Sequence, residues 1–335
     1  MNKIFMFLSA LSFGAFSQSF IVKTDTVKVL NSASIRGMSV VDDSVAWISG
    51  SMGTVARTIN GGRSWEKIAV KGHERRDFRS IEAFDKNIAY IANAGDSAKL
   101  LATYDGGRSW KEICSFNVKG VFFDAVACWD QHKGLVLSDP VNGVFLLPYF
   151  ENGKVASVQT CSANAGEACF AASGTCLRTG TNGNAWFVTG GGDSRIFYTH
   201  DYGKSWENYP CPVIKGKPSQ GAFSVAFADS LNGIVVGGDY GQATLAENNC
   251  FITSDGGKTW SSPKSLPGGY RSCVEHIGKK EYVCTGLSGT DLSKDKGRNW
   301  SNIDQQAFNV VRKAKKGLLV LLAGDGGRVG VLRKK

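Results

Sequence analysis

Apolar residues along this chain come in short bursts, and clusters of Gly, Asp, Asn and Ser separate them. The runs 35–41, 44–49, 54–59 and 64–70 form one group of four, and 78–84, 87–93, 99–104 and 109–114 form a second. A third covers 121–128, 133–137, 143–149 and 154–159, and further groups begin near Cys169, Phe223 and Tyr270. Such runs are too short for helices. Many are apolar at every position, which predicts β-strands covered on both faces. The tail 308–333 holds only three runs. The segment 20–30, with Phe20, Val22, Thr24, Thr26, Val27 and Val29, reads as the strand that completes that last group.

A repeated turn sits between the third and fourth runs of most groups. It reads Thr58-Ile-Asn60-Gly-Gly62-Arg-Ser64-Trp65, then Thr103-Tyr-Asp105-Gly-Gly107-Arg-Ser109-Trp110, then Thr199-His-Asp201-Tyr-Gly203-Lys-Ser205-Trp206. Thr253-Ser-Asp255-Gly-Gly257-Lys-Thr259-Trp260 and Ser293-Lys-Asp295-Lys-Gly297-Arg-Asn299-Trp300 follow. The spacing is 45, 96, 54 and 40 residues. The long interval is about two periods, and Glu151-Asn152-Gly153-Lys154 stands where a decayed copy belongs. One four-stranded propeller blade takes roughly 40 to 50 residues. The repeat therefore predicts an all-β, single seven-bladed propeller over 18–335, its ring closed by the N-terminal strand.

The motif's chemistry suits a hairpin. Asp or Asn accepts backbone N–H bonds, the hydroxyls do the same, Gly supplies a backbone that a side chain opposes, and Trp covers the turn. These carboxylates are expected to be structural, because the repeats supply no nucleophile, base or metal partner for catalysis. The turns are Asp boxes, or BNR repeats, as in sialidases and related propellers. Their G-G-[RK]-[ST]-W form resembles the photosystem II stability and assembly factor (Ycf48/HCF136-like) family across nearly the whole chain after the leader.

Met1-Asn2-Lys3 and the apolar run 4–16, with a small-residue site at Ala15-Phe16-Ser17, read as a secretory signal peptide over 1–17. The run is too short to span a bilayer. The expectation is an exported protein, periplasmic or secreted, that does not span the membrane and is a monomer. Export permits disulfides. Cys273 and Cys284 flank the turn at Gly278-Lys279-Lys280 and are the candidate pair among nine cysteines. No Cys-x-x-Cys occurs and the four His are scattered, so no metal or cofactor is expected. The net charge of +10 favours acidic partners. An exported chain has little reason to meet nucleic acid.

Ligands are expected on the face opposite the boxes, where the blade-to-blade crossings and the second-to-third strand loops lie. Two residue sets fall there. Arg36, Arg79 and Arg271 stand at the start of the innermost strand in Ile-Arg-Gly-Met, Phe-Arg-Ser-Ile and Tyr-Arg-Ser-Cys, and Arg75 and Arg76 precede Arg79. Guanidinium forks around one mouth suit carboxylates, whereas the bland alternative is Arg side chains solvated at strand ends. The family resemblance implies an Arg-rich patch that binds an acidic or carboxylate-bearing protein segment. Asp96, Asp139, Asp193, Asp239 and Asp325 each follow a blade's second strand, as an acidic ring or as ordinary Gly-Asp turns.

The function expected is a non-catalytic binding scaffold for a protein or peptide, with no catalytic residue assigned. The alternative is a sialidase- or endoglucanase-like glycoside hydrolase acting on a glycan. A sialidase needs an Arg triad, a Tyr nucleophile with a Glu, and an acid/base Asp. Arg36, Arg79 and Arg271 imitate the triad, but no Tyr–Glu pair is evident and Ser34-Ile35-Arg36-Gly37-Met38 lacks the Arg-Ile-Pro element. An endoglucanase would use two carboxylates, for which Asp139 and Asp239 are the candidates.

Overall fold

The computed structural model describes residues 20–26, 30, 32–95 and 97–334. The apolar runs are strands, and they form seven antiparallel sheets, one per blade. The inner strands, in blade order, are Ile35–Val40, Asp77–Ala83, Phe123–Cys128, Leu177–Thr179, Gln220–Phe227, Cys273–Gly278 and Val310–Lys313. The chain is thus a seven-bladed all-β propeller. Apolar clusters fill the spaces between neighbouring sheets, which is why the strands are apolar on both faces.

The ring closes as the tail predicted. Phe20–Thr26 pairs antiparallel with Arg328–Lys334, from Phe20 opposite Lys334 to Thr26 opposite Arg328. Residues 27–29 and the leader 1–17 lie outside the described residues. Sheet closure removes an open edge of unpaired backbone groups.

The five boxes share one bonding scheme. In the second, Thr103 Oγ1 donates to Asp105 Oδ1 (2.9 Å) and accepts from Gly107 N–H (2.8 Å). Asp105 also accepts from Ser109 N–H (3.0 Å) and Ser109 Oγ–H (2.6 Å). Asp201 and Asp255 repeat the pattern, Asp295 uses Asn299, and Asn60 stands in for Asp in the first box. Their carboxyls are pulled down: Asp105 to about 2 by the Ser109 hydroxyl and N–H. The box glycine also joins blades. Gly107 has φ +87°, and a Cβ there would meet Ile68 of the preceding blade at 2.4 Å. Trp300 is buried, but Trp65, Trp110, Trp206 and Trp260 are only half-buried, so the ring covers the turn less completely than expected. The decayed copy is a plain hairpin, with Asn152 and Gly153 both at positive φ.

Two expectations are corrected. All nine cysteines are free. Cys273 pairs with Thr285, and Cys284 with Val274. This one-residue offset turns the two thiols to opposite faces of the sheet, since side chains alternate along a strand. The fourth blade begins at Leu177, not near Cys169. The residues before it instead cross the mouth of the ring, where Glu167–Ala168 pairs with Gly190–Gly191.

Small hydroxyls pin the inner strands to one another. Ser39 Oγ accepts from Ala83 N–H (3.0 Å), Ser80 Oγ from Val126 N–H (2.9 Å) and Ser224 Oγ from Val274 N–H (2.9 Å). Toward the box side, Arg178 and Arg312 both pair with Glu275, and Lys315 pairs with Glu82, so cations and carboxylates on the inner strands neutralise each other there. The other end of the axis is open.

Candidate functional site

The inner strands of several blades carry one extra residue where they enter the sheet. Register jumps from Ile35 to Gly37, Phe78 to Ser80, Phe123 to Ala125 and Ala222 to Ser224, leaving Arg36, Arg79, Asp124 and Phe223 as the bulged residues. In the sixth blade Ser272 N–H bonds Thr285 O while Cys273 takes Thr285 as its register partner. In the seventh, Asn309 N–H bonds Ala323 O while Val310 pairs with Ala323. A bulge re-aims its extra side chain. Here all six of these residues line one cavity of about 430 Å³ at the mouth opposite the boxes.

Arg36 and Arg79 therefore share the mouth as expected, but Arg271 does not. The dipeptide pattern places it one residue off, and Ser272 takes the equivalent slot. Arg271 is fully buried inside the sixth blade. Its Nε donates to Asp291 Oδ2 (2.7 Å), Nη2 donates to the same carboxylate, and Nη1 bonds Tyr270 O (2.8 Å) and Ser288 Oγ (2.6 Å). Arg75 is exposed on the crossing before the second blade, outside the cavity lining. Arg76 turns away to His73 Nδ1 (3.0 Å) and Ser97 O (2.9 Å).

The two cavity guanidiniums differ. Arg79 Nε donates to Asp77 (2.7 Å), and its head lies 5.8 Å from the Phe122 ring centre. Arg36 makes no hydrogen bond or ion pair among the described residues. Its charge helps hold the Asp325 carboxyl low: burial pushes that group up, but bonds from Ser34 and Asn309 and the charges of Arg36 and Arg328 outweigh it.

The acidic ring is only partly a ring. Asp139 and Asp325 line the cavity. Asp193 pairs with Lys215 on the rim, and Asp239 caps a turn through Gly241 N–H (2.9 Å). Asp96 lies outside the described residues. Asp139 accepts from Cys169 N–H (2.8 Å), which ties down the crossing segment, and burial pushes its carboxyl up to about 6.

Sequence reasoning missed Asp124. It is 1% exposed and lines the cavity, yet neither carboxyl oxygen has a hydrogen-bond partner among the described residues. The N–H groups of Ala171 and Asp139 approach it without reaching bonding geometry, and Asp139 N–H is committed to Phe122 O (2.9 Å). Burial, and then the neighbouring Asp139, hold its carboxyl well above the usual range, with Arg79 working against them. An aromatic wall faces these charges. Phe170 of the crossing segment stacks on Phe223 at 3.9 Å, and Tyr270 meets Phe223 edge-on at 4.8 Å. Tyr240 stands 48% exposed at the lip.

Residues 18–119 match the family described as photosynthesis system II assembly factor YCF48. Over that first third the chain is similar to the Ycf48 family, and its fold is that of an Asp-box propeller. A structure of YCF48 bound to D1 peptide superposes with a TM-score of 0.66 at 17% identity, covering 92% of this chain and 96% of that one. YCF48 from Cyanidioschyzon merolae gives 0.63 at 13% identity, covering 92% and 98%. The WD40 propeller of Doa1 gives 0.59 at 12%, covering 95% and 96%. No curated protein sequence matches the chain. Among the described residues no helix is long and apolar enough to cross a membrane.

Proposed function

We propose that this protein is an exported, monomeric, non-catalytic scaffold that holds a protein or peptide segment in the mouth cavity opposite the boxes. Arg36 is the seat for a carboxylate, either an acidic side chain or a chain terminus. Arg79 adds positive charge beside it, and the exposed Arg75 steers acidic partners toward the rim. The observation that carries this reading is Arg36: a half-buried guanidinium with no hydrogen bond or ion pair among the described residues, on an aromatic-walled cavity. A peptide complex of a similarly folded propeller supports the class of partner.

The test is binding of peptides that end in a free carboxylate against the same peptides amidated, at low and high salt. Arg36→Gln should remove the preference for the acid while leaving the melting temperature within about 1 °C, as for most surface changes. Equal binding of acid and amide by the wild type would defeat the reading.

The glycosidase alternative draws on a different observation, two carboxyls with raised pKa in one cleft. Asp239 is not one of them; the pair is Asp124 and Asp139. No Glu lines the cavity among the described residues, so a Tyr–Glu nucleophile is not assembled there. Reproducible turnover of a sialoside or β-glucan would make this the better account.

A further inference from the structure

The floor of the cavity holds a feature that a carboxylate seat does not use. Asp124 occupies the bulge slot that other blades fill with Arg36, Arg79, Phe223, Ser272 or Asn309, so the fold does not require an acid there. A carboxyl that is nearly fully buried with both oxygens unpartnered is costly to keep, unless something else completes it. Arg79 acts on it through charge, but donates no hydrogen bond to it and bonds Asp77 through Nε. Asp139 stands beside it with one oxygen on Cys169 N–H. Both residues line the cavity together with Phe122, Phe170 and Phe223, the Asp124 oxygens lying just beneath its surface.

We propose that Asp124 and Asp139 form a second subsite of the mouth cavity, which receives the cationic side chain, Lys or Arg, of the bound segment. The inference rests on the peptide-binding reading above and makes it more specific: the segment carries a basic side chain as well as the carboxylate held by Arg36. A long apolar stem with a charged tip suits the place. The stem lies along the phenyl rings, whose faces attract a cation, and the tip gives Asp124 the donors it lacks. A bound cation also favours the ionised form of both carboxyls, which burial otherwise opposes. A metal ion fits less well, since no group of three or more His, Cys, Asp or Glu converges among the described residues.

The experiment uses the full propeller and octapeptides with a free C-terminal carboxylate in an alanine background. A single Lys is walked through the positions, and each Lys peptide is compared with its norleucine counterpart by titration calorimetry. At one or two adjacent positions Lys should bind about tenfold tighter than norleucine, the scale of one good charged contact. Asp124→Asn with Asp139→Asn should erase that difference while keeping the preference for acid over amide. Arg36→Gln should do the reverse. Absence of a Lys preference at every position in the wild type overturns the subsite, and this comparison needs no variant to fold. A Lys preference that survives in a folded Asp124→Asn, Asp139→Asn protein overturns the assignment to these two residues. Loss of the acid preference alone overturns the carboxylate seat and leaves the cation subsite standing.

Discussion

Replacing Arg271 by Gln separates a structural arginine from a ligand-binding one. The side chain is 0% exposed and Asp291 is 3% exposed, so neither charge is screened by water. Gln cannot reproduce the fork that donates to Asp291 through Nε and Nη2 or the bonds from Nη1 to Tyr270 O and Ser288 Oγ. Asp291 would keep only a 3.1 Å bond from Gly268 N–H and a long one from Asn302. Leaving one partner of a buried pair costs about 3 to 5 kcal/mol. At roughly 2 °C per kcal/mol for a domain of this size, melting should fall by about 6 to 10 °C. The assay is thermal unfolding followed by circular dichroism, beside Arg36→Gln as the half-buried, unpaired control. The double change Arg271→Met, Asp291→Leu should recover much of the loss, because an apolar pair of similar volume removes the uncompensated charge. A variant Arg271→Gln that melts within 1 °C of the wild type would refute the argument that this ion pair is structural.

Removing residues 18–30 should open the ring, since the strand Phe20–Thr26 closes the seventh blade and Phe20 is buried; loss of roughly 3 kcal/mol or more is expected from its apolar side chains alone, read by denaturant unfolding. Trp300→Ala should cost about 3 to 5 kcal/mol, and Trp110→Ala clearly less, because only the first ring is buried. Asp105, Asp201 and Asp255 have folded carboxyls lowered to about 2, so their contribution is complete above the ordinary carboxylate range and is lost as pH falls through that range toward 2; stability measured from pH 5 downward should decline less steeply in the triple Asn variant. Peptide mapping without reduction should recover Cys273 and Cys284 as free thiols, and in the native protein half-buried Cys114 should be the first to alkylate, though slowly, because burial pushes its thiol up to about 11.

The propeller was legible because it rests on chemistry that repeats. A box needs Thr or Ser to bridge the Asp carboxylate and the Gly N–H, and that need writes the same residues at each copy. Strand groups could then be counted, including the three-run tail and its N-terminal complement. The decayed turn at Asn152-Gly153 was readable for the same reason, as the dipeptide that a tight hairpin prefers. The start of the fourth blade was not. Cys169 follows an apolar pattern like that of a strand, but its N–H is spent on Asp139 and Phe170 is held by stacking on Phe223. Both partners are distant in sequence, so local pattern had nothing to say about them.

The site was less legible because its geometry turns on single residues. Arg79 and Arg271 stand in nearly the same tetrapeptide, yet one faces the mouth and the other the interior of a blade. The difference is where the bulge falls: after Phe78 in one case, after Arg271 in the other. A bulge is a local departure from strict alternation, and no composition rule marks it. The same blindness hid Asp124 and misjudged the Cys273–Cys284 pair, which a one-residue offset separates. What could have found Asp124 is alignment of the blades to one another by their inner serines: Ser80 and Ser224 both bond the backbone of the next inner strand, and each stands directly after a bulged residue. Counting back from such a residue identifies the mouth-facing slot; in the third blade Ala125 stands where those serines do, and the residue before it is the acid Asp124. The repeat therefore holds two layers of information. Its turns specify the fold redundantly, while one bulge position in six of the seven blades faces the cavity, where variation costs the scaffold little and sets what the cavity can hold.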